Sequence, residues 1–229
     1  MSAPLQTSIE CVLFDLDGTL IDTAPDFVIV VNRLLAETQR APIAADLIRR
    51  TVSDGARALV KLALAIDEAD PQFANHLERL LGLYYEQLET TQSVLYPGLE
   101  ELLDKFAAQN IKWGIVTNKP ALYAERLLQQ LGLRESCQSL VCPDHVHERK
   151  PHPEPILLAC RQLGCNTERT VYIGDHIRDI QAAKNADVIA IAAAYGYLAA
   201  DTKVDEWYAD FILNSSTQTE SLLNLLKFA

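Results

Sequence analysis

Short apolar runs alternate along most of the chain with longer segments whose apolar residues recur at helical spacing. This alternation is typical of a doubly wound parallel sheet with helices on both faces. The pattern predicts strands at Cys11–Phe14, Lys112–Val116, 139–142, 170–173, 188–192 and Phe211–Leu213. It predicts helices between or after them at Leu99–Gln109, 120–131, 153–163, 177–186 and 219–228.

A different pattern interrupts this alternation between residues 23 and 92. Segments 26–40, 46–52, 56–65 and 71–89 show helical apolar periodicity, and no convincing strand lies among them. An all-helical stretch directly after the first strand cannot belong to the sheet. We therefore expect an α/β core from residues 1–22 and 93–229, with an inserted helical domain at 23–92.

The charge balance limits the classes of partner. The 229 residues include 20 Lys and Arg against 31 Asp and Glu, a formal net charge of −11. Such a charge disfavours nucleic acid and anionic membranes as partners. The five cysteines form no C-x-x-C pair and no secretory signal or membrane-spanning stretch is evident, so we expect buried, reduced thiols in a cytoplasmic protein.

Carboxylates follow the first predicted strand. Asp15 and Asp17 stand two residues apart, directly after an apolar run and before Gly18 and Thr19. Open α/β sheets bind ligands at this end of their strands. Two carboxylates this close repel each other unless a cation or a proton intervenes. The pair therefore indicates either a divalent metal or a division of roles between a nucleophile and an acid.

Polar groups also follow the next strands in the chain. Thr117 and Asn118 come after the second predicted strand, and Asp175 and Asp179 come after the strand predicted at 170–173. Lys150 lies in a Pro-rich segment before the helix predicted at 153–163.

Taken in order, these groups resemble the four motifs of the haloacid dehalogenase superfamily. The resemblance rests on D-x-D-G-T at 15–19, the Thr-Asn pair at 117–118, the lysine at 150 and G-D-x-x-x-D at 174–179. It implies a Rossmann-like core, a helical cap of the family's first type at 23–92, and a Mg²⁺-dependent phosphomonoester hydrolase. It also implies an aspartyl-phosphate intermediate.

The resemblance gives each acidic residue a role: as the nucleophile, in proton transfer or in binding the metal. Asp15 would attack phosphorus, and Asp17 would act as general acid and then as base. The Mg²⁺ ligands would be an Asp15 oxygen, the Asp17 carbonyl and Asp175, while Asp179 would hold a metal-bound water or Lys150.

Other motif residues would contact the phosphoryl group. Thr117 and Asn118 would donate hydrogen bonds to its oxygens, and Lys150 would neutralise its charge. Gly18 would also lie against the substrate. His176 departs from the family pattern, since many relatives carry Asp, Ser or Thr there. We interpret it as a tolerated variant that bears on metal affinity.

Within this superfamily, longer sequence segments resemble the phosphoglycolate phosphatase branch. They lie at 21–26, 116–120, 144–146 and 195–197, and they are closest to bacterial enzymes that dephosphorylate N-acetylmuramic acid 6-phosphate in cell-wall recycling. Phosphoglycolate is the alternative substrate. Both esters bear a carboxylate, so a basic group in the cap is expected; Arg57 is the first candidate and Arg50 the second.

Other activities of the superfamily have to be distinguished from phosphomonoester hydrolysis. The acid at Asp17 disfavours a dehalogenase, and the single cap lysine, Lys61, disfavours a phosphonate hydrolase with a Schiff-base lysine. A phosphosugar mutase would keep every motif, and only product analysis separates it. A non-catalytic binding protein would have no reason to keep all four motifs. We expect a monomer or a weak homodimer.

Overall fold

Six parallel strands form the central sheet of the computed structural model, which describes residues 9–225. In chain order the strands are β1 (Cys11–Phe14), β2 (Ile21–Asp22), β3 (Val94–Leu95), β4 (Lys112–Val116), β5 (Leu140–Val141), β6 (Thr170–Gly174), β7 (Ile189–Ala193) and β8 (Phe211–Leu213). The sheet order is β5-β4-β1-β6-β7-β8. The carboxyl ends of β4, β1 and β6 therefore lie side by side at the centre of one edge.

The helices are α1 (Ala24–Glu37), α2 (Ala45–Thr51), α3 (Ala56–Leu64), α4 (Phe73–Gln87), α5 (Leu99–Gln109), α6 (Ala121–Gln130), α7 (Glu154–Leu163), α8 (Ile177–Asn185) and α9 (Thr219–Leu225). Helices α5 to α9, which follow β3, cover both faces of the sheet. Val12 and Phe14 of β1 belong to one apolar cluster with α5, α6 and α9, whereas Cys11 and Leu13 belong to another with α7 and α8. Burial on both faces explains why β1 is an unbroken apolar run.

Helices α1 to α4 lie between β2 and β3 and form the helical insert. The rings of Phe27 and Tyr84 stack across α1 and α4 with centroids 4.3 Å apart. Asp26 of α1 is fully buried and accepts hydrogen bonds from Ser93 Oγ and the Gln92 backbone N–H, which fixes the returning chain. The doubly wound sheet with an inserted helical cap confirms the predicted fold class. The assignment of residues 23–92 to a separate domain stays a prediction.

The core strands and the helices lie where the hydrophobic pattern predicts them, with ends shifted by at most three residues. The end of the helix predicted at 219–228 lies outside the described residues. The pattern missed the antiparallel pair β2–β3, in which Ile21 pairs with Leu95 and Asp22 with Val94. Two-residue strands are too short to show the alternation by which a strand is recognised.

The cysteines carry no disulfide. Four of them are buried as predicted, but Cys165 is only half-buried, so the prediction is wrong for this residue. It follows Gly164, which ends α7 in a left-handed conformation (φ 61°) and turns the chain toward the surface. No helix within residues 9–225 combines the length and the apolar character that a bilayer crossing needs.

Candidate active site

Asp15, Thr117 and Asp175 meet at the carboxyl edge of the sheet, each placed by the strand before it. The Asp15 backbone N–H donates to Ile173 O at 2.8 Å, and that of Thr117 donates to Val141 O at 2.9 Å. The hydrogen-bond ladder thus continues into the first polar residue after each strand. This continuation holds the side chains on a rigid frame.

Lys150 lies between two carboxylates. Its Nζ is 2.9 Å from Asp15 Oδ1 and 2.7 Å from Asp179 Oδ1, and its side chain is 1% exposed. It also donates to the carbonyl of Val116, at 2.9 Å. Burial disfavours the ammonium charge, but Asp15 and Asp179 outweigh burial and raise the pKa of Lys150. The lysine is therefore a fixed positive charge beside Asp15.

Tyr172 of β6 is a site residue that the sequence analysis missed. Its hydroxyl accepts from Lys150 Nζ at 2.7 Å and lies 2.8 Å from Val116 O and 3.2 Å from Asp179 Oδ1. Tyr172 lies within an apolar strand, where sequence analysis interprets a tyrosine as a residue of the hydrophobic core. Its partners come from three other segments of the chain, so no local pattern could have revealed this role.

Asp175 is 1% exposed and contacts the helical insert as well as the core. Its Oδ2 accepts from Ser53 Oγ at 2.9 Å and from the Tyr197 backbone N–H at 2.8 Å. Gly18 packs against the same oxygen: with φ at 81°, a Cβ there would lie 2.2 Å from it. Glycine is thus required both by the backbone conformation and by the space.

The buried carboxylates lack enough positive charge. Burial, followed by the neighbouring acids, raises the pKa of Asp175 well above its ordinary range. Burial also raises the pKa of Asp15 to about 6, against the lowering effect of Lys150. One ammonium does not balance three acidic groups, so a further cation would relieve the repulsion.

Asp15, Asp175 and Asp179 each offer an oxygen within 4.8 Å of the other two. An all-carboxylate donor set suits a hard divalent cation such as Mg²⁺. Both carboxylate oxygens of Asp179 already have a protein partner: Oδ1 binds Lys150, and Oδ2 accepts from the His176 backbone N–H at 3.0 Å. The site therefore fits the predicted metal, and Asp179 fits the expectation that it holds Lys150.

The side chain of Asp17 is not part of this carboxylate cluster and has partners of its own. Its Oδ1 accepts from Lys119 Nζ at 2.8 Å and from Thr23 Oγ1 at 2.6 Å. Any metal contact of Asp17 would thus come from its main-chain carbonyl, as the resemblance implies. Lys119 is a second residue that the sequence analysis did not single out. Burial opposes its charge, yet Asp17 keeps the pKa of Lys119 above its usual value.

Thr117 and Asn118 flank the lysine loop. Thr117 is buried, and its Oγ1 accepts from the Lys119 backbone N–H at 3.1 Å, which leaves the hydroxyl proton free to donate. Asn118 Nδ2 donates to the main-chain oxygen of Lys150 at 3.0 Å, while its buried Oδ1 has no partner within residues 9–225. Asn118 therefore positions the lysine; its direct contact with phosphate stays a prediction.

The structure does not bring Arg57 to these residues. Its guanidinium pairs with Glu68 at 2.8 Å, its side chain is 61% exposed, and it lines a separate groove formed mainly by α4 and the start of α6. Arg50, the second candidate, lines a cavity of about 570 Å³ that also contains Asp175 and Trp207. No ion pair of Arg50 is found in the described part of the chain.

His176 directly precedes α8 and acts as its N-cap. Its Nδ1 accepts from the Arg178 backbone N–H at 3.1 Å, the role that Asp, Ser or Thr plays at such a position. Its ring also faces Asp54 of the insert, with Nε2 3.4 Å from Oδ1, and this contact lowers the pKa of Asp54. The departure from the family pattern thus keeps the cap.

The comparisons with known proteins agree with this geometry. The family model described as haloacid dehalogenase-like hydrolase matches residues 12–193. A protein of Pseudomonas putida named N-acetylmuramic acid 6-phosphate phosphatase is 40% identical over 217 residues, which are 94% of this chain and 96% of that protein. A phosphoglycolate phosphatase of Xanthomonas campestris is 40% identical over 213 residues, 90% of this chain and 93% of that protein.

A solved structure has the same fold along nearly the whole chain. The crystal structure of a predicted phosphoglycolate phosphatase from Haemophilus somnus superimposes with a TM-score of 0.82 at 26% identity. The match covers 95% of this chain and 99% of that one. With the four motifs assembled at one sheet edge, these matches show that the chain belongs to the haloacid dehalogenase-like hydrolase family.

Proposed function

We propose that the protein is a Mg²⁺-dependent phosphomonoester hydrolase that acts through an aspartyl phosphate on Asp15, with N-acetylmuramic acid 6-phosphate as substrate. Its family and its curated relatives make it a phosphatase. The observation that carries the mechanism is the buried Lys150 ammonium between Asp15 and Asp179, with Asp175 beside them.

The first step transfers the phosphoryl group to the protein. Lys150 and the Ile173 carbonyl fix Asp15, and its Oδ2 makes no hydrogen bond to any of the described residues. This oxygen attacks phosphorus, the bond to the ester oxygen breaks, and the leaving oxygen takes a proton from Asp17. The second step reverses these roles: Asp17 takes a proton from water, water attacks phosphorus, and Asp15 leaves as a carboxylate.

Charge on the phosphoryl oxygens has to be balanced locally, because the chain as a whole is acidic. Lys150 and the Thr117 hydroxyl supply donors from a site that is almost closed to water. Asp15, Asp175 and the Asp17 carbonyl are the groups we assign to Mg²⁺, with Asp179 holding Lys150. When bound, the ion neutralises charge on the phosphoryl oxygens and orients them for in-line attack.

The cavity beside Asp175 supports a substrate larger than glycolate. Its volume of about 570 Å³ is in the range of sites for sugar-sized ligands, and Trp207 gives it an aromatic wall. A glycolate group would leave most of it to water. Arg50, whose guanidinium is unpaired within residues 9–225, is the basic group that we assign to the carboxylate of the substrate.

Two arginines of the same helical insert provide a matched test. We expect Arg50→Ala to lower kcat/KM for N-acetylmuramic acid 6-phosphate about ten- to hundredfold, the loss of a charged hydrogen bond. Glucose 6-phosphate, which lacks the acid, should lose little. Arg57→Ala, in the other groove, should change neither substrate. The same preference in Arg50→Ala as in the wild type would remove Arg50 from the site.

Phosphoglycolate is the second candidate substrate, because several relatives carry that name at 34–40% identity. The deciding measurement is kcat/KM of the wild type for both acids and for glucose 6-phosphate. A higher value for phosphoglycolate would replace the muramic acid ester, and a higher value for glucose 6-phosphate would discard the carboxylate requirement. Release of one inorganic phosphate per turnover would exclude a phosphosugar mutase.

A further inference from the structure

Lys119 and Asp17 form an ion pair at the edge of the candidate site. The distance between Nζ and Oδ1 is 2.8 Å, and the two side chains are 6% and 16% exposed. Lys119 belongs to the core, in the loop after β4, and no motif role was assigned to it. Removing two charges from water costs free energy, and their attraction offsets this cost only where the pair has good geometry and further hydrogen bonds.

The helical insert encloses this pair. Lys119 Nζ lies 4.5 Å from the ring centroid of Tyr84 in α4 and 5.1 Å from that of Phe27 in α1. The ammonium is therefore held between the carboxylate of Asp17 and two aromatic faces, an arrangement that favours the charged lysine in one place. Its position is further fixed by its own backbone N–H, which donates to Thr117 Oγ1.

A second donor reaches the same carboxylate oxygen. Thr23 Oγ1 lies 2.6 Å from Asp17 Oδ1, so both lone-pair directions of that oxygen are in use. No hydrogen bond to Asp17 Oδ2 is found within residues 9–225. The two oxygens of this carboxyl group thus differ: one is bound to the protein, and the other is free.

We propose that Lys119 is a positioning residue that, together with Thr23, dedicates Oδ2 of Asp17 to proton exchange with the substrate. In the first step Asp17 delivers a proton from Oδ2 to the leaving oxygen as the P–O bond breaks; in the second, Oδ2 receives a proton from the attacking water. The inference rests on the proposed phosphatase mechanism and adds an orientation to it.

Leaving groups of different basicity separate this role from a merely structural one. An alkoxide needs a proton as it leaves, whereas p-nitrophenolate leaves without one. We expect Lys119→Met to lower the rate constant of alcohol release in a single turnover of the best alkyl phosphate of the wild type about 100-fold, the scale of general acid catalysis. For p-nitrophenyl phosphate the rate constant of p-nitrophenol release in a single turnover, which reports the first step alone, should stay within about fivefold, because that leaving group does not require Asp17. KM should change little for both.

Two further variants complete the test. Lys119→Arg keeps a cationic donor and should recover most of the activity on the alkyl ester. Thr23→Val removes the other donor to Oδ1 and should cause the same selective loss, which keeps the test valid should Lys119→Met not fold. Lys105→Met is the control, since this lysine pairs with Glu220 on an exposed surface; it should behave as the wild type.

The outcomes are distinguishable from failure of the phosphatase proposal. Equal losses of the first-step rate on both esters in Lys119→Met and Thr23→Val would overturn the positioning role while wild-type hydrolysis stands. A loss of the first-step rate that is confined to the alkyl ester supports it. A wild-type protein that releases no phosphate from either ester would instead overturn the proposed function itself.

Discussion

Ser53 Oγ donates a 2.9 Å hydrogen bond to Oδ2 of Asp175. Ser53 lies in a short 3₁₀ turn of the helical insert, whereas Asp175 ends a strand of the sheet. The insert therefore touches a carboxylate assigned to the metal. Arg49 of α2 makes a second link, since its Nη1 lies 2.8 Å from Asp22 Oδ2 in the ribbon that joins insert and core. The insert and the sheet edge are thus one site.

We expect Ser53→Ala to weaken Mg²⁺ binding about tenfold, because groups that hydrogen-bond a metal ligand orient it and add to affinity. The measurement is the Mg²⁺ concentration that gives half-maximal activity. Ser136→Ala is the matched control, since Ser136 donates only to Leu133 O in an exposed loop. Equal Mg²⁺ dependence in the two variants would show that the contact does not position Asp175.

Removal of the divalent cation should stop hydrolysis, because Asp15, Asp175 and Asp179 would repel each other and the phosphoryl group. Chelation should inactivate the protein, and Mg²⁺ should restore it. Ca²⁺ should restore it poorly, since its larger and looser ligand shell can bind both oxygens of Asp15. Full activity after exhaustive chelation would remove the metal from the mechanism.

Lys150→Met should abolish activity and lower the free energy of unfolding by about 3–5 kcal/mol in chelated buffer, because it leaves two buried carboxylates without their partner. Mg²⁺ should reduce this loss by supplying positive charge. Urea unfolding with and without Mg²⁺ measures both effects. Lys105→Met, which breaks an exposed pair, should cost at most about 1 kcal/mol; a similar cost for Lys150→Met would contradict the buried-pair interpretation.

Cys165 should be the first cysteine to react with iodoacetamide at neutral pH. It is half-buried, and a hydrogen bond from Cys11 lowers its pKa, whereas burial raises the pKa of Cys137 and of Cys142 to about 12. The thiolate is the reactive form, so reactivity should follow this order. Peptide mass spectrometry after brief alkylation measures it, and earlier labelling of Cys137 or Cys142 would contradict the prediction.

The sequence predicted those parts of the site that depend on strand ends. An apolar run followed by a polar residue sufficed for Asp15, Thr117 and Asp175, because parallel strands bring their carboxyl ends to one edge. Lys150 was found only through the family resemblance, since a loop lysine has no local pattern.

Contacts between distant segments could not be predicted in this way. Tyr172 binds Lys150, which is 22 residues away in the chain, and Lys119 binds Asp17, which is 102 residues away. Arg50 and Arg57 are both arginines of the insert, and the sequence does not distinguish them. Only the fold shows that Arg50 shares a cavity with Asp175, whereas Arg57 does not. Side-chain partners of this kind depend on tertiary packing, which periodicity does not encode.

In the proposed mechanism Asp15 becomes phosphorylated during turnover. Rapid acid quenching of the protein with a ³²P-labelled phosphomonoester, followed by peptide mapping, tests it most directly. We expect acid-stable, hydroxylamine-labile label on the peptide that contains Asp15, and none in Asp15→Asn, which should fold normally and turn over no substrate. Phosphate release without labelled protein at any mixing time, or label on another residue, would contradict the account.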